Sequence, residues 1–334
     1  MAILKYIIPL IFISVGMTGC YSDFEPDLES TPVVCINADV KVGEELIIFV
    51  TRTWRWSENV SGKSLDLTDA NVKLYVNGKE FEELSYSIWE HYDPMEPWTN
   101  TQSGFRSTYI PQSGDNIRIV AHSPRYGDAE GEVTVPYPVA IEVVEAVADF
   151  SSNEDSRYIR YEGNAALQVF FTDPAEETDY YLVKASVNGM YGNTLYTQGW
   201  ISFESEPLFT EHMSSLESVV SDISGYTLFT DRMIAGKRYP LHMRLENVVY
   251  TIDKEVGFGS NQAYVNICLN TISKSYYNHV LSVWESNDGI NGILGGIGLA
   301  DSVWEYSNVS TGAGVISASA SSEVSLPLSS IVVH

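Results

Sequence analysis

Alternation of apolar and polar side chains, the pattern of a half-buried β-strand, repeats along this chain from about residue 30 onward. Examples are residues 72–76 in the first half, and residues 239–245 and 263–269 in the second. Asn77-Gly78 follows the first of these runs and favours a type I′ hairpin, because both central residues of that turn need positive φ. The pattern predicts a mostly β protein.

Two kinds of segment depart from simple alternation. Residues 46–50 form a continuous apolar run, which predicts a strand covered on both faces. Met213, Leu216 and Val220 have helical spacing over a short stretch, and apolar residues within 276–284 form a longer helical stripe. We therefore expect one or two short helices, both in the second half.

Pro136-Tyr137-Pro138 interrupts the strand pattern and predicts a domain boundary, because proline cannot donate to a β-ladder. A chain of 334 residues with 44% hydrophobic content can build two ordinary cores. The economical architecture is two tandem antiparallel β-sandwich-like domains, residues 32–136 and residues 139–334, the second carrying the short helices.

The N-terminus has the organisation of a bacterial lipoprotein signal, which we assign to residues 1–19. Lys5 precedes an apolar run over residues 6–15, and Met17-Thr18-Gly19-Cys20 follows. The run is too short to span a bilayer, which takes about 20 apolar residues. We expect cleavage before Cys20 and lipid attachment at its thiol by acyl chains such as palmitate. The alternative is an ordinary secretory signal that leaves a free Cys20.

An acidic tether over residues 20–31 follows the signal, and its composition cannot bury enough apolar surface to fold. Ser22, Asp23 and Glu25 make this stretch resemble the export signal that sends Bacteroidetes lipoproteins to the outer face of the outer membrane. The resemblance implies a lipid-anchored protein of the outer membrane that is exposed at the cell surface. A merely solvated tether is the alternative.

Charge and motif content exclude several function classes. The net charge of −25 opposes nucleic-acid binding, which depends on neutralising phosphates with Lys and Arg. There is no Gly-x-Ser-x-Gly elbow and no His-x-x-x-His spacing. We therefore expect no enzyme activity, no catalytic residues, no cofactor and no metal, although a loop-bound calcium ion near Asp66 and Asp69 stays open. Cys35 and Cys268 are expected to be buried free thiols, because each stands among apolar residues, with a disulfide bridge as the alternative.

Aromatic residues crowd the predicted first domain and are candidate binding residues: Trp54, Trp56, Trp89, Tyr92 and Trp98. Trp54 and Trp56 have strand spacing, so their rings would face the same side. Exposed rings in a row could stack on a sugar or a peptide. A core role explains the same residues equally well.

Several segments occur in the order that one family shows. They are residues 69–75, 104–111, 114–136, 171–174, 180–181, 228–231, 236–239, 307–309 and 312–314. Together they resemble the Bacteroidetes outer-membrane lipoprotein family known as domain of unknown function 4249. Asp179 stands where we expect Asn in that pattern. The family supplies no catalytic residues to carry over.

The resemblance implies a function class, because family members are often encoded beside TonB-dependent receptors. We expect a surface-tethered, non-catalytic binding or accessory subunit of a TonB-dependent nutrient-uptake system, with such a receptor as partner and a glycan or peptide as possible ligand. The alternative is a structural or adhesive cell-surface protein that contacts glycans or host proteins. The first domain also resembles the immunoglobulin-like and transthyretin-like modules of bacterial surfaces.

Overall fold

In the computed structural model, the described residues are 31–55, 58–92, 99–175, 178–191, 194–197, 199–203, 206–210, 227–255, 261–287 and 305–332. Within them the chain is mostly β, as the alternation predicts, and its sheets pack as two sandwiches, each with its own core. No helix in these ranges combines the length and apolar character needed to cross a membrane.

The first sandwich packs one end of a large sheet against a smaller sheet. The large-sheet end has the order β1-β2-β6-β5, with β1 (Val34–Lys41), β2 (Ile47–Arg52), β5 (Tyr86–Tyr92) and β6 (Thr99–Arg106). The smaller sheet has the order β17-β8-β7-β3-β4, with β3 (Asn71–Val76), β4 (Lys79–Leu84), β7 (Asn116–Ser123), β8 (Gly127–Thr134) and β17 (Val309–Ser310). Alternate side chains from both sheets form one buried core, which includes Ile36, Leu74 and Phe105.

The turn between β3 and β4 confirms the predicted hairpin. Asn77 has φ of 51° and Gly78 has φ of 77°, the two positive values that a type I′ turn requires. The amide nitrogen of Asn116 donates to the Asn77 side-chain oxygen at 2.9 Å, so the turn is also anchored to β7.

The second sandwich packs the other end of the large sheet against a separate sheet. The large-sheet end has the order β12-β11-β16, with β11 (Tyr180–Tyr191), β12 (Thr194–Thr197), β16 (Asn261–Ile272) and, beside β11, β14 (Leu228–Thr230). The separate sheet has the order β13-β15-β10-β9, with β9 (Ile141–Glu154), β10 (Tyr158–Thr172), β13 (Trp200–Ser202) and β15 (Arg238–Asp253). Val169, Met243 and Ile267 belong to its core.

One strand, β18 (Ile316–Pro327), joins the two ends into a continuous sheet. Its first residues pair in parallel with β1, from Ala38↔Ile316 onward, and its later residues pair antiparallel with β16. Ile316 and Ala318 are therefore buried in the first core, although they lie beyond residue 139 in sequence. Just before β18, Gly314 has φ of 106°, and a Cβ there would strike the Ile36 carbonyl oxygen.

Two helices are described, and the longer one confirms the predicted stripe. Helix α1 (Lys274–Asn287) lies on the outer face of the large sheet, where Tyr277 packs with Leu228 and Ile272. Ser273 precedes it, and its hydroxyl oxygen accepts the Tyr276 amide at 3.2 Å, as an N-cap residue does. Helix α2 (Leu328–Val332) packs in the second core. The helical spacing within residues 213–220 lies outside the described residues.

The expectation that residues 46–50 are covered on both faces is wrong. Leu46, Ile48 and Val50 are buried in the first core, but Phe49 between them is 43% exposed. No described element covers this residue on the outer face of the large sheet, so β2 is half-buried there in spite of the continuous apolar run over residues 46–50.

Candidate functional site

Six of the predicted site residues lie outside the described residues. These are Cys20, Ser22, Asp23 and Glu25, together with Trp56 and Trp98 of the aromatic set. Tyr92 ends strand β5, and its side chain is likewise not described. Their roles stay predictions.

The two described tryptophans of the aromatic set have different environments. Trp54 follows β2 and is 54% exposed, so its ring is available to a ligand. Trp89 on β5 is half-buried beneath Arg106, whose guanidinium carbon lies 4.8 Å from the ring centroid. Arg106 is held in turn by two hydrogen bonds to Glu45, at 2.7 and 2.6 Å. Trp89 therefore has a cation–π partner already, and Trp54 is the stronger contact candidate.

A polar groove crosses the outer face of the large sheet where the two sandwiches meet. We call it the junction groove. Its central cavity has a volume of about 250 Å³, and its lining comes from β1, β11, β16, β18 and α1. The principal lining residues are Asp39, Lys41, Lys184, Cys268, Asn270, Tyr276, Ser321 and Glu323. Both halves of the chain contribute to this surface because β18 lies between β16 and β1.

Hydrogen bonds hold the floor of the junction groove rigid. The Ser321 hydroxyl donates to the Asn270 side-chain oxygen at 2.7 Å, and the Asn270 amide donates to the Leu182 carbonyl at 2.9 Å. Burial raises the pKa of the Cys268 thiol, so the protonated form is favoured and the sulfur is a poor nucleophile. The groove is thus equipped to bind a polar ligand by charge and hydroxyl contacts.

Three aspartates meet near the start of β11, and we call them the aspartate triad. Carboxylate oxygens of Asp173, Asp179 and Asp231 all lie within 4.8 Å of one another. Asp173 accepts hydrogen bonds from the Tyr181 hydroxyl at 2.6 Å and the Gly236 amide at 3.0 Å. Asp173 and Asp231 lie in the family-like stretches 171–174 and 228–231, and Asp179 directly precedes the stretch 180–181. The two hydrogen-bond donors to Asp173 lie in the stretches 180–181 and 236–239.

Electrostatics in the triad disfavour full ionisation. Burial, with a smaller contribution from the charge of Asp231, raises the pKa of Asp173. Burial and then the hydrogen bond to Asp173 raise the pKa of Tyr181, which keeps that hydroxyl a donor. Oxygen ligands of this kind suit Ca²⁺, but that ion takes six to eight of them, and three carboxylates also arise in purely structural clusters.

A second buried carboxylate, Glu206, lies beneath a cleft of about 390 Å³ on the outer face of the β10–β15 sheet. It accepts the Tyr239 hydroxyl at 2.8 Å and the backbone amides of His242 at 2.8 Å and Leu208 at 3.1 Å. The Nδ1 atom of His242 lies 3.4 Å away, which is long for a hydrogen bond. Glu206 therefore holds the 3-10 turn Pro207–Thr210 against β15.

The remaining predicted residues are an aspartate with hydrogen-bond partners and two cysteines that form no disulfide. Asp66 accepts hydrogen bonds from the Tyr86 hydroxyl at 2.7 Å and the Ser103 hydroxyl at 3.2 Å, so its carboxylate is engaged within the first sandwich. Cys35 and Cys268 are both free thiols. Each is half-buried on its strand rather than fully buried.

Sequence reasoning missed both the junction groove and the triad. The outward residues of β18 are rich in serine, and this signal could have marked a polar sheet face. The sequence marks Asp179 only as a departure from an expected Asn. Its two carboxylate neighbours come from segments about 60 residues apart, which no local pattern connects.

Comparison with known proteins gives one family. A family model described as Domain of unknown function (DUF4249) matches residues 21–325, which is most of the chain. No curated protein matches it.

Proposed function

The chain belongs to the DUF4249 family, and from that premise we propose that it is a surface-tethered outer-membrane lipoprotein, a non-catalytic binding subunit of a TonB-dependent nutrient-uptake system. The observation that carries the proposal is the arrangement of the N-terminus. A lipoprotein signal ends at Cys20, and the acidic tether leads directly into β1, a central strand of the continuous sheet.

The length of the tether limits how far the folded body stands from the membrane. Thirteen residues lie between Cys20 and Val34, the first residue of β1, so the chain takes fourteen residue steps from one to the other. A fully extended chain of that length spans about 45–50 Å. A body held within this distance can reach the outer surface of a barrel receptor in the same membrane.

The chemistry of the described residues supports binding rather than catalysis. Burial raises the pKa of both Cys35 and Cys268, so these thiols are weak nucleophiles. Glu206, a buried carboxylate beside a cleft, has its oxygens engaged in structural hydrogen bonds. The junction groove offers fixed polar groups to a ligand.

Membrane attachment is tested by replacing Cys20 with Ala and fractionating the cells. We expect the variant to leave the membrane fraction, because a single residue carries the lipid. Cys35→Ala and Cys268→Ala are matched controls, since each removes a thiol without touching the signal, and both should stay membrane-bound. Retention of the Cys20 variant at wild-type levels would contradict lipid anchoring.

Surface exposure is tested by adding protease to intact cells. The wild type should be cut, and a variant with Asp23, Glu25, Asp27 and Glu29 replaced by neutral residues should be protected. Capture of the tagged wild type from solubilised outer membrane should then recover a TonB-dependent receptor. Full protection of the wild type, or recovery without any receptor, would contradict the respective part of the proposal.

The exposed ring of Trp54 favours the adhesive alternative as the second candidate. A tryptophan face at a strand end can stack on a sugar ring. This alternative would be favoured over the uptake subunit if the purified mature protein binds a glycan and Trp54→Ala loses that binding. Removal of receptors from the cells should then leave glycan binding unaffected.

A further inference from the structure

Among the described strands, β9 forms an open edge of the second sandwich. It is last in the order β13-β15-β10-β9, and it pairs with β10 along nearly its whole length. The middle of the strand is uncovered, since residues 145–147 are all exposed and Val147 is 75% exposed. An edge of this kind presents a row of backbone N–H and C=O groups that another strand can pair with.

Three of the usual protections against edge pairing, namely short length, proline and lysine, are missing from β9. Protected edge strands are short, or carry proline, lysine or bulges. β9 has 14 residues, longer than the usual 3–10, and contains no Pro, Lys or Arg. Its irregularity in register against β10 lies at the start, opposite Phe170 and Phe171, so the rest of the edge is regular.

The two faces of β9 differ in chemistry. Val144, Ala148 and Phe150 point toward the second core and are only partly buried, so the sandwich is open along this side. Glu145 and Asp149 lie on the opposite face with Val147 between them. Near the ends of the strand, Glu142 is paired with Arg238 and Glu154 with Lys254, each at 2.6 Å. Among the described residues, Glu145 and Asp149 have no ion-pair partner.

We propose that the β9 edge binds an extended basic segment of another polypeptide by strand addition. Apolar side chains at alternate positions of that segment would complete the core beside Val144 and Ala148, and Lys or Arg between them would face Glu145 and Asp149. The inference rests on the proposed binding function and names the partner chemistry. A second copy of this chain fits worse, because antiparallel pairing centred on Val147 places Glu145 opposite Asp149 and brings like charges together.

The test uses the full mature protein in detergent and a fluorescent eight-residue peptide in which valine and lysine alternate. A second peptide has glutamate in place of lysine. Binding is measured by fluorescence anisotropy at low salt, and hydrogen–deuterium exchange follows the β9 amides. We expect the lysine peptide to bind and to protect amides within residues 143–151.

Charge reversal supplies the decisive variant, because Glu145→Lys with Asp149→Lys alters exposed side chains and should not prevent folding. It should weaken binding of the lysine peptide by roughly tenfold or more and allow the glutamate peptide to bind. Asp128→Lys with Glu132→Lys is the matched control, since these exposed residues have the same spacing on β8 and give the same change in net charge.

Two results would overturn the inference. One is binding of the lysine peptide without protection of the β9 amides, or an equal loss of peptide affinity in both double variants. Either outcome would indicate general electrostatic attraction. The other is self-association of the wild type through β9. Neither result bears on lipid anchoring or receptor capture, so failure here is distinguishable from failure of the proposed function.

Discussion

Replacing Asp179 with Asn should stabilise the protein, because it removes one of three negative charges from the aspartate triad. The carboxylate oxygens lie within 4.8 Å of one another. At an effective dielectric constant of about 20, two unit charges at that separation repel by about 3 kcal/mol. Proton uptake by the cluster relieves part of this repulsion, so we expect a gain of about 1–3 kcal/mol in the free energy of unfolding.

The pH dependence follows from the raised pKa of Asp173. The folded protein holds this proton more tightly than the unfolded chain does. Protonation therefore favours the folded state at low pH, and this contribution is lost as the pH rises through the folded pKa. The repulsion that the Asp179→Asn substitution removes is present above that pKa, so the advantage of the variant should be largest near neutral pH and shrink on acidification.

The assay is the thermal midpoint of wild type and variant across this pH range, measured with a chelator present. A gain of 1 kcal/mol corresponds to a rise of about 2 °C in a chain of this size. Asp149→Asn is the control, since it removes an equal charge from an exposed strand position and should change stability little. A lower midpoint for Asp179→Asn at neutral pH would refute the reasoning. Stabilisation of the wild type alone by added Ca²⁺ would instead identify a cation site.

Four further substitutions test the packing. Trp284→Ala should lower the free energy of unfolding by about 3–5 kcal/mol in chemical denaturation, because this ring is almost fully buried. Trp54→Ala should leave the denaturation midpoint nearly unchanged, because that ring is exposed. Equal losses of stability in the two variants would place Trp54 in a core. Gly314→Ala should lower the thermal midpoint strongly, because a Cβ there meets the Ile36 carbonyl at positive φ, and an unchanged midpoint would contradict the tight β1–β18 approach. Tyr239→Phe should cost about 1–3 kcal/mol by removing a donor from buried Glu206, with wild-type stability as the contradicting result.

Local patterns in the sequence determine much of the fold. Alternation predicted the buried faces of β3, β15 and β16, since successive side chains of a strand point to opposite sides whatever the neighbouring strand is. The Asn77-Gly78 turn and helix α1 are equally local, because backbone conformation and a single apolar face specify them. The predicted signal and the proposed lipid attachment at Cys20 rest on local sequence patterns as well.

Strand order and the sites built from it depended on tertiary structure. Alternation does not say which strands are neighbours, so the sequence alone does not place β18 between β16 and β1. The pairing of β18 with β1 is parallel and joins residues far apart in sequence. The junction groove exists only because of that placement. Asp173 and Asp231 approach Asp179 only when separate strands pack, and β9 is an edge only because no described strand follows it in its sheet. These features come from long-range pairing, which is selected by the packing of the whole core rather than by any local sequence pattern.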